Sequence, residues 1–243
     1  MDHRFAILID GGFFTRKLFS KLGNKAPKVE DVVSEIERIR ADERLSDYEL
    51  LRTYYYDAYP ATGKLKHPIS GEELNLANTP VATRNKAFLQ KLELQPDISL
   101  RAGELSTRGY KLKYKTLSDP TLKERILNQD DFDLDIEQKG VDLRIGLDIA
   151  RLSLRGLVQT IVVVTGDSDF IPAFKFARRE GVRIILAHMG HGVKESLRHT
   201  PMGFWSSHAR LLSSVAIPSA SSTLASMCSA FIAATSYIAF GLA

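Results

Sequence analysis

Cysteine is nearly absent from the sequence, with Cys228 alone among 243 residues. A single thiol excludes a disulfide within the chain and also excludes a cysteine-rich zinc site. This scarcity suits a reducing compartment, and we expect a cytoplasmic protein. The amino terminus agrees with that expectation, because the apolar run from Phe5 to Ile9 is too short for a secretory signal and ends at Asp10.

Charged residues are absent after Arg210, so the net charge of +4 belongs to the first 210 residues. A mildly basic chain permits a nucleic-acid partner without requiring one. The sequence after Pro218 is rich in serine and alanine, and we predict a domain over residues 1–214 followed by an appendage over 215–243. Residues 224–243 have the length of a membrane span. Their serines and threonines and the lack of a basic flank make an anchor the disfavoured alternative.

Several catalytic motifs are also missing. The sequence contains no phosphate-binding Walker A loop, no G-x-S-x-G elbow and no G-x-G-x-x-G after a strand. The six histidines show no close pair with zinc spacing. His188, His191 and His199 lie near one another in the chain, and ordinary surface or core roles are favoured for them.

What is present is an alternation of strand and helix patterns. Apolar runs predict strands, and apolar residues at helical spacing predict helices. The predicted strands are 5–9, 50–58, 160–164 and 182–188, and the predicted helices are 29–41, 83–94, 141–154 and 171–179. Residues 98–116 read as two strands around Arg108-Gly109, residues 59–80 as a loop, and residues 117–138 as irregular with a helical turn at 122–127. This order predicts an α/β fold with a mostly parallel sheet.

Five aspartates occupy the places where such a sheet binds ligands. Asp10 and Asp167 each follow a strand, and the carboxyl ends of parallel strands share one edge of the sheet. Asp169 lies two residues beyond Asp167, while Asp142 and Asp148 flank Ile145 on one arc of a helix. Carboxylate oxygens are the ligands of Mg²⁺ and Mn²⁺, and metal-assisted phosphodiester hydrolysis needs such a cluster.

Each aspartate also has an ordinary structural alternative. Asp142 could cap its helix, and Asp148 could pair with Arg144 or Arg151. Asp10, Asp167 and Asp169 could serve turns. These alternatives stay open on spacing alone.

The segments FAILIDGGFF, KGVDLRIGLDIARL and TIVVVTGDSDFIPAFKFARREGVRIILA resemble the NYN domain family, also described as LabA-like, over roughly residues 4–214. NYN domains belong to the PIN-like superfamily. The resemblance implies a PIN-like three-layer α/β/α sandwich and a Mg²⁺- or Mn²⁺-dependent ribonuclease. RNA would be the partner, and a homodimer is compatible with it.

The resemblance assigns the site residue by residue. Asp10 matches the aspartate that ends the first strand, Asp142 that of K-G-V-D, and Asp167 and Asp169 those of G-D-S-D. Asp148 matches a further acidic position in the helix. Many relatives read I-D-G-x-N, and here Phe13 stands in place of that asparagine. A catalytically weak RNA-binding module with the same fold is therefore the alternative function. A phosphatase would require a D-x-D pattern after the first strand, and that pattern is absent.

A basic strand offers a route for nucleic acid. Lys111, Lys113 and Lys115 alternate along a predicted strand and would share one face. With Arg101 and Arg108 they could follow a phosphate backbone. A solvated strand face is the alternative.

Overall fold

A computed structural model describes residues 3–118, 125–192 and 203–205. Its strands are β1 (Arg4–Asp10), β2 (Glu49–Tyr59), β3 (Lys64–Lys66), β4 (Glu73–Asn75), β5 (Ile98–Leu112), β6 (Phe132–Lys139), β7 (Thr160–Val164), β8 (Arg183–Ala187) and β9 (Gly203–Trp205). Its helices are α1 (Gly11–Lys21), α2 (Val29–Arg40), α3 (Pro80–Glu93), α4 (Tyr114–Leu117), α5 (Val141–Leu154) and α6 (Ile171–Arg179).

The central sheet has the strand order β6-β5-β2-β1-β7-β8-β9. Only β6 pairs antiparallel with its neighbour, and the other pairs in this sheet are parallel. The prediction of a mostly parallel α/β sheet is confirmed. β1 lies between β2 and β7, so its carboxyl end is flanked by the ends of both neighbours.

Helices cover both faces of this sheet. Alternate residues of β1 point to opposite sides, as the strand period requires. Ile7 and Ile9 belong to the core that contains the buried residues of α1, α2 and α3. Leu8 belongs to the core that contains Ile145 of α5 and Phe174 of α6. The predicted three-layer α/β/α sandwich is therefore what the structure has.

Helix α1 was not predicted from the sequence, where Asp10-Gly11-Gly12 reads as a sharp turn. The helix begins at Gly11, directly after β1. A Cβ at Gly11 would lie 2.7 Å from the Tyr56 carbonyl oxygen, so glycine lets the helix start against β2. Helix α3 also starts earlier than predicted, because Thr79 caps it through Ala82 N–H and Pro80 occupies its first turn.

The prediction of two strands within 98–116 is wrong. Residues Ile98–Leu112 form one strand, with an irregularity between Thr107 and Tyr110 where Gly109 has φ +100°. A bulge of this kind bends a strand without ending it. The prediction of irregular structure over 117–138 is also wrong in its last part, because β6 forms there and pairs with β5. Its alternation of Phe132, Leu134 and Ile136 with acidic residues was the missed signal.

The predicted basic strand face does not form. Lys111 lies on β5, but Lys113 follows its end and Lys115 lies in α4. Carboxylates of β6 pair with these cations: Asp135 lies 2.9 Å from Lys111 Nζ and Asp133 lies 3.6 Å from Lys113 Nζ. The charges at this edge of the sheet are thus largely balanced.

Several predictions fall outside the described residues. They concern the first half of the helical turn at 122–127, His199, Cys228, the domain boundary at 214 and the appendage over 215–243. Predicted loop 59–80 contains the short β3–β4 hairpin and a 3₁₀ turn over Leu76–Asn78. Within the described ranges, no helix combines the length and the apolar composition that a bilayer crossing needs.

Candidate functional site

Asp10 is the last residue of β1 and is held from two sides. One carboxylate oxygen accepts a hydrogen bond from Phe13 N–H at 3.1 Å, which caps α1. The other accepts from the hydroxyl of Thr165 at 3.2 Å. Burial raises the pKa of Asp10 above its usual 3.8, and these two hydrogen bonds oppose that rise. Asp10 therefore caps α1 and also lies at the centre of the candidate site.

Asp167 and Asp169 enter the site through the turn after β7. Thr165 Oγ1 accepts a hydrogen bond from Asp167 N–H at 3.2 Å. Asp167 Oδ1 accepts from Asp169 N–H at 2.9 Å and caps the 3₁₀ turn Ser168–Phe170. Thr165 thus connects this turn to Asp10. Asp167 therefore stabilises the turn, as its structural alternative expected, and the turn holds it near Asp10.

Asp142 reaches the same edge from the first turn of α5. The residue that caps this helix is Gly140, at φ +77°, so the structural alternative for Asp142, a role as helix cap, does not apply. Burial raises the pKa of Asp142, and repulsion from Asp10, Asp167 and Asp169 raises it further. Asp142 therefore lies within electrostatic range of Asp10, Asp167 and Asp169.

Asp148 has different neighbours. Tyr56 donates its hydroxyl to Asp148 Oδ2 at 2.9 Å. The Nε atoms of Arg101 and Arg151 each lie 3.3 Å from its carboxylate. The side chain is only 14% exposed. The expected ion pair with Arg151 is therefore present, and two cations already neutralise Asp148.

Asp57 is a further carboxylate that the sequence analysis missed. It follows Tyr56 of β2, which pairs with Asp10 at the end of β1, and its Oδ2 lies 2.8 Å from where a Cβ of Gly11 would be. Burial, followed by repulsion from Asp10, raises its pKa to about 6, against a hydrogen bond from Ala58 N–H. Asp57 was missed because it lies inside predicted strand 50–58, whereas Asp10 and Asp167 follow the apolar runs of their strands.

Phe13 stands at the position where the family resemblance leads one to expect asparagine. Its backbone N–H holds Asp10, while its side chain is buried in the core. The ring packs edge-on against His191 at 5.7 Å between centroids. A Cβ at Gly166 would lie 2.6 Å from this ring and 2.7 Å from the His191 ring. The pair of rings therefore rests on the turn that carries Asp167.

The donor set matches a hard divalent cation. Four carboxylates converge on one sheet edge, and oxygen ligands of this kind suit Mg²⁺ or Mn²⁺. Among the described residues, however, no three acidic, histidine or cysteine side chains are close enough to enclose an ion by themselves. Mg²⁺ commonly keeps several waters and takes one or two carboxylates together with substrate phosphate, so an open arrangement fits it.

The NYN domain profile matches residues 4–207. No curated protein matches the sequence. A similar solved structure is VPA0982, a protein of unknown function from Vibrio parahaemolyticus RIMD 2210633. Its TM-score is 0.46 at 13% sequence identity, over 84% of this chain and 93% of that one.

Proposed function

Because the chain belongs to the NYN domain family, a PIN-like family of nucleases, we propose that it is a metal-dependent endoribonuclease. The observation that carries this proposal is the convergence of Asp10, Asp142, Asp167 and Asp169, whose mutual repulsion raises the pKa of Asp142. Carboxylates that repel one another at the ligand-binding edge of a sheet are stabilised by a cation.

The same four aspartates would hold Mg²⁺ or Mn²⁺. When bound, such an ion activates water and offsets the charge that develops on a phosphodiester during hydrolysis. Asp148 would have to exchange Arg101 and Arg151 for the ion, so we assign the ion to the other four. Asp148 instead joins α5 to β2 through the hydroxyl of Tyr56, and in this way it positions the helix whose first turn carries Asp142.

The chain's own residues prepare this site before any ligand arrives. Phe13 N–H and Thr165 Oγ1 direct the two oxygens of Asp10, and Thr165 also fixes the turn of Asp167. Positioning of this kind lowers the reorganisation that substrate binding would otherwise require. The backbone contact of Phe13 with Asp10 does not depend on its side chain, so the change from asparagine removes one polar side-chain contact and leaves the position of Asp10 unchanged.

The decisive experiment is cleavage of a labelled single-stranded RNA in Mn²⁺ or Mg²⁺. Asp167→Asn tests the site, EDTA tests the ion, and Asp47→Asn removes one exposed carboxylate elsewhere as the matched control. We expect cleavage by the wild type and by Asp47→Asn, and loss of cleavage with Asp167→Asn or with EDTA. If folded wild type that has bound Mn²⁺ leaves RNAs of varied sequence and structure intact, the chain is an RNA-binding module instead.

A further inference from the structure

Two cations of α1 stand beside the aspartates. Arg16 is exposed and Lys17 is half-buried, and α1 begins directly at Asp10. Arg16 is close enough to Asp10 to lower its pKa against the larger effect of burial. Lys17 Nζ lies 5.8 Å from the centroid of the Phe13 ring. These side chains therefore border the aspartate cluster on the side of Phe13.

Histidine 191 places a third polar group at the same border. Its ring contacts Phe13, and burial, followed by the charges of Lys17, His188 and Arg16, lowers its pKa. The main chain of His191 is held by a contact of 2.9 Å between its carbonyl oxygen and His188 Nδ1. Cationic side chains from α1 and the ring of His191 thus converge beside the turn of Asp167.

No carboxylate pairs with Arg16 or Lys17 in the part of the chain that the structure describes. Among those residues, no acidic oxygen lies within 4.0 Å of either side chain's nitrogens. The basic residues of β5 that were predicted to follow a phosphate backbone differ in this respect. Carboxylates of β6 pair with Lys111, Lys113 and, at 2.7 Å, Arg108. Unpaired positive charge next to a phosphodiesterase site attracts phosphate.

We propose that Arg16 and Lys17, bordered by His191, form a subsite for a non-scissile phosphate of the nucleic-acid strand. This inference rests on the proposed function and adds the residues that place the strand. Arg16 offers a planar set of donors and Lys17 a compact charge, which are the two common ways in which proteins bind phosphate. A phosphate held there positions the neighbouring phosphodiester at the aspartates.

Binding of a labelled single-stranded RNA in EDTA tests the subsite without cleavage. The test variant is Arg16→Gln/Lys17→Gln, with the exposed Arg16→Gln alone in case the double variant does not fold. The matched control is Arg178→Gln/Arg179→Gln, which removes two exposed charges from the last turn of α6. Helix α6 starts beside Asp169 and runs away from the aspartates, so this pair lies at the far edge of the sheet.

We expect the test variant to bind RNA about tenfold more weakly than the wild type and the control to bind as the wild type does. Each phosphate contact with a single strand contributes about 0.7 to the slope of the logarithm of the binding constant against the logarithm of the salt concentration. Loss of two contacts should therefore make this slope shallower by about 1.4. Equal binding by test and control variants, or no binding by the wild type in EDTA at low salt, would overturn the subsite. Arg16 and Lys17 would then only balance the aspartates.

Cleavage in Mn²⁺, measured on the same preparations, separates this inference from the proposed function. If the wild type cleaves RNA but loss of Arg16 and Lys17 leaves RNA binding unchanged, the subsite proposal is wrong and the nuclease proposal stands. If RNA binding depends on both residues but no cleavage occurs, the nuclease proposal is wrong and the subsite proposal stands. Asp167→Asn should bind RNA in EDTA at least as tightly as the wild type, because it removes a negative charge near the strand.

Discussion

The hydroxyl of Thr165 donates to Asp10 across the boundary between β7 and β1, at 3.2 Å. The same oxygen accepts the N–H of Asp167 at 3.2 Å. Thr165 is fully buried, so water does not replace either contact when the side chain is lost. One side chain therefore sets the relative positions of two aspartates from adjacent strands.

Thr165→Val keeps the shape of this side chain and removes both contacts. We expect a loss of about 1–3 kcal/mol in the free energy of unfolding, because the partly buried carboxylate of Asp10 and the partly buried N–H of Asp167 lose their partner. Mn²⁺ affinity should fall as well. Urea titration and Mn²⁺ binding measure the two effects, and Thr165→Ser, which keeps the hydroxyl, should restore most of both. Wild-type Mn²⁺ affinity in Thr165→Val would show that this hydroxyl does not organise the site.

Asp57 should make stability depend on pH. Its carboxyl ionises near 3.8 when unfolded and near about 6 when folded, so the folded state keeps the proton longer. The free energy of unfolding therefore falls as pH rises from about 4 to about 6, by about 1–3 kcal/mol. Asp57→Asn lacks this loss. It should match the wild type near pH 4 and exceed its stability by that amount near pH 8.

Denaturant titrations of Asp57→Asn and wild type across that pH range provide the measurement, and exposed Asp47→Asn is the control. Only the difference between variant and wild type is informative, because other carboxyls also titrate. A difference that stays constant with pH would mean that the carboxyl of Asp57 is as well solvated when folded as when unfolded.

Gly166 and Gly146 should respond to alanine in opposite directions. A Cβ at Gly166 would meet the Phe13 and His191 rings at 2.6 and 2.7 Å, so Gly166→Ala should cost about 1–3 kcal/mol. Gly146 lies inside α5 and has no atom within 4 Å of its Cβ position, so Gly146→Ala should add about 0.5–1 kcal/mol. Thermal unfolding compares the pair, and equal effects would contradict the tight contact.

Substitutions at Asp148 and at Asp142 should distinguish a structural carboxylate from a metal-binding one. Mn²⁺ should raise the melting temperature of the wild type, because an ion that binds only the folded state stabilises it. Asp142→Asn should lose this rise. Asp148→Asn should keep it while melting at a lower temperature, because Arg101 and Arg151 lose their partner. EDTA should remove the rise in every variant, and a rise absent from Asp148→Asn would place this residue among the ligands.

Local sequence pattern was enough for most of the sheet. Short apolar runs predicted β1, β7 and β8 because buried parallel strands are apolar on both faces. Edge strand β6 was missed because its faces are only partly buried and its acidic residues make it look irregular. Helix α1 was missed because its start depends on the close approach of Gly11 to β2, which no local pattern records.

The sequence by itself determined which aspartates follow strands, and the parallel sheet determined that those strand ends meet. Only the tertiary structure decided how the carboxylates divide. Asp10, Asp142, Asp167 and Asp169 repel one another at one edge, whereas Asp148 pairs with Arg101 and Arg151. Asp57 joins the edge through burial against Gly11. Charge and burial depend on neighbours that are distant in the chain, so the roles of these aspartates follow from packing and not from spacing.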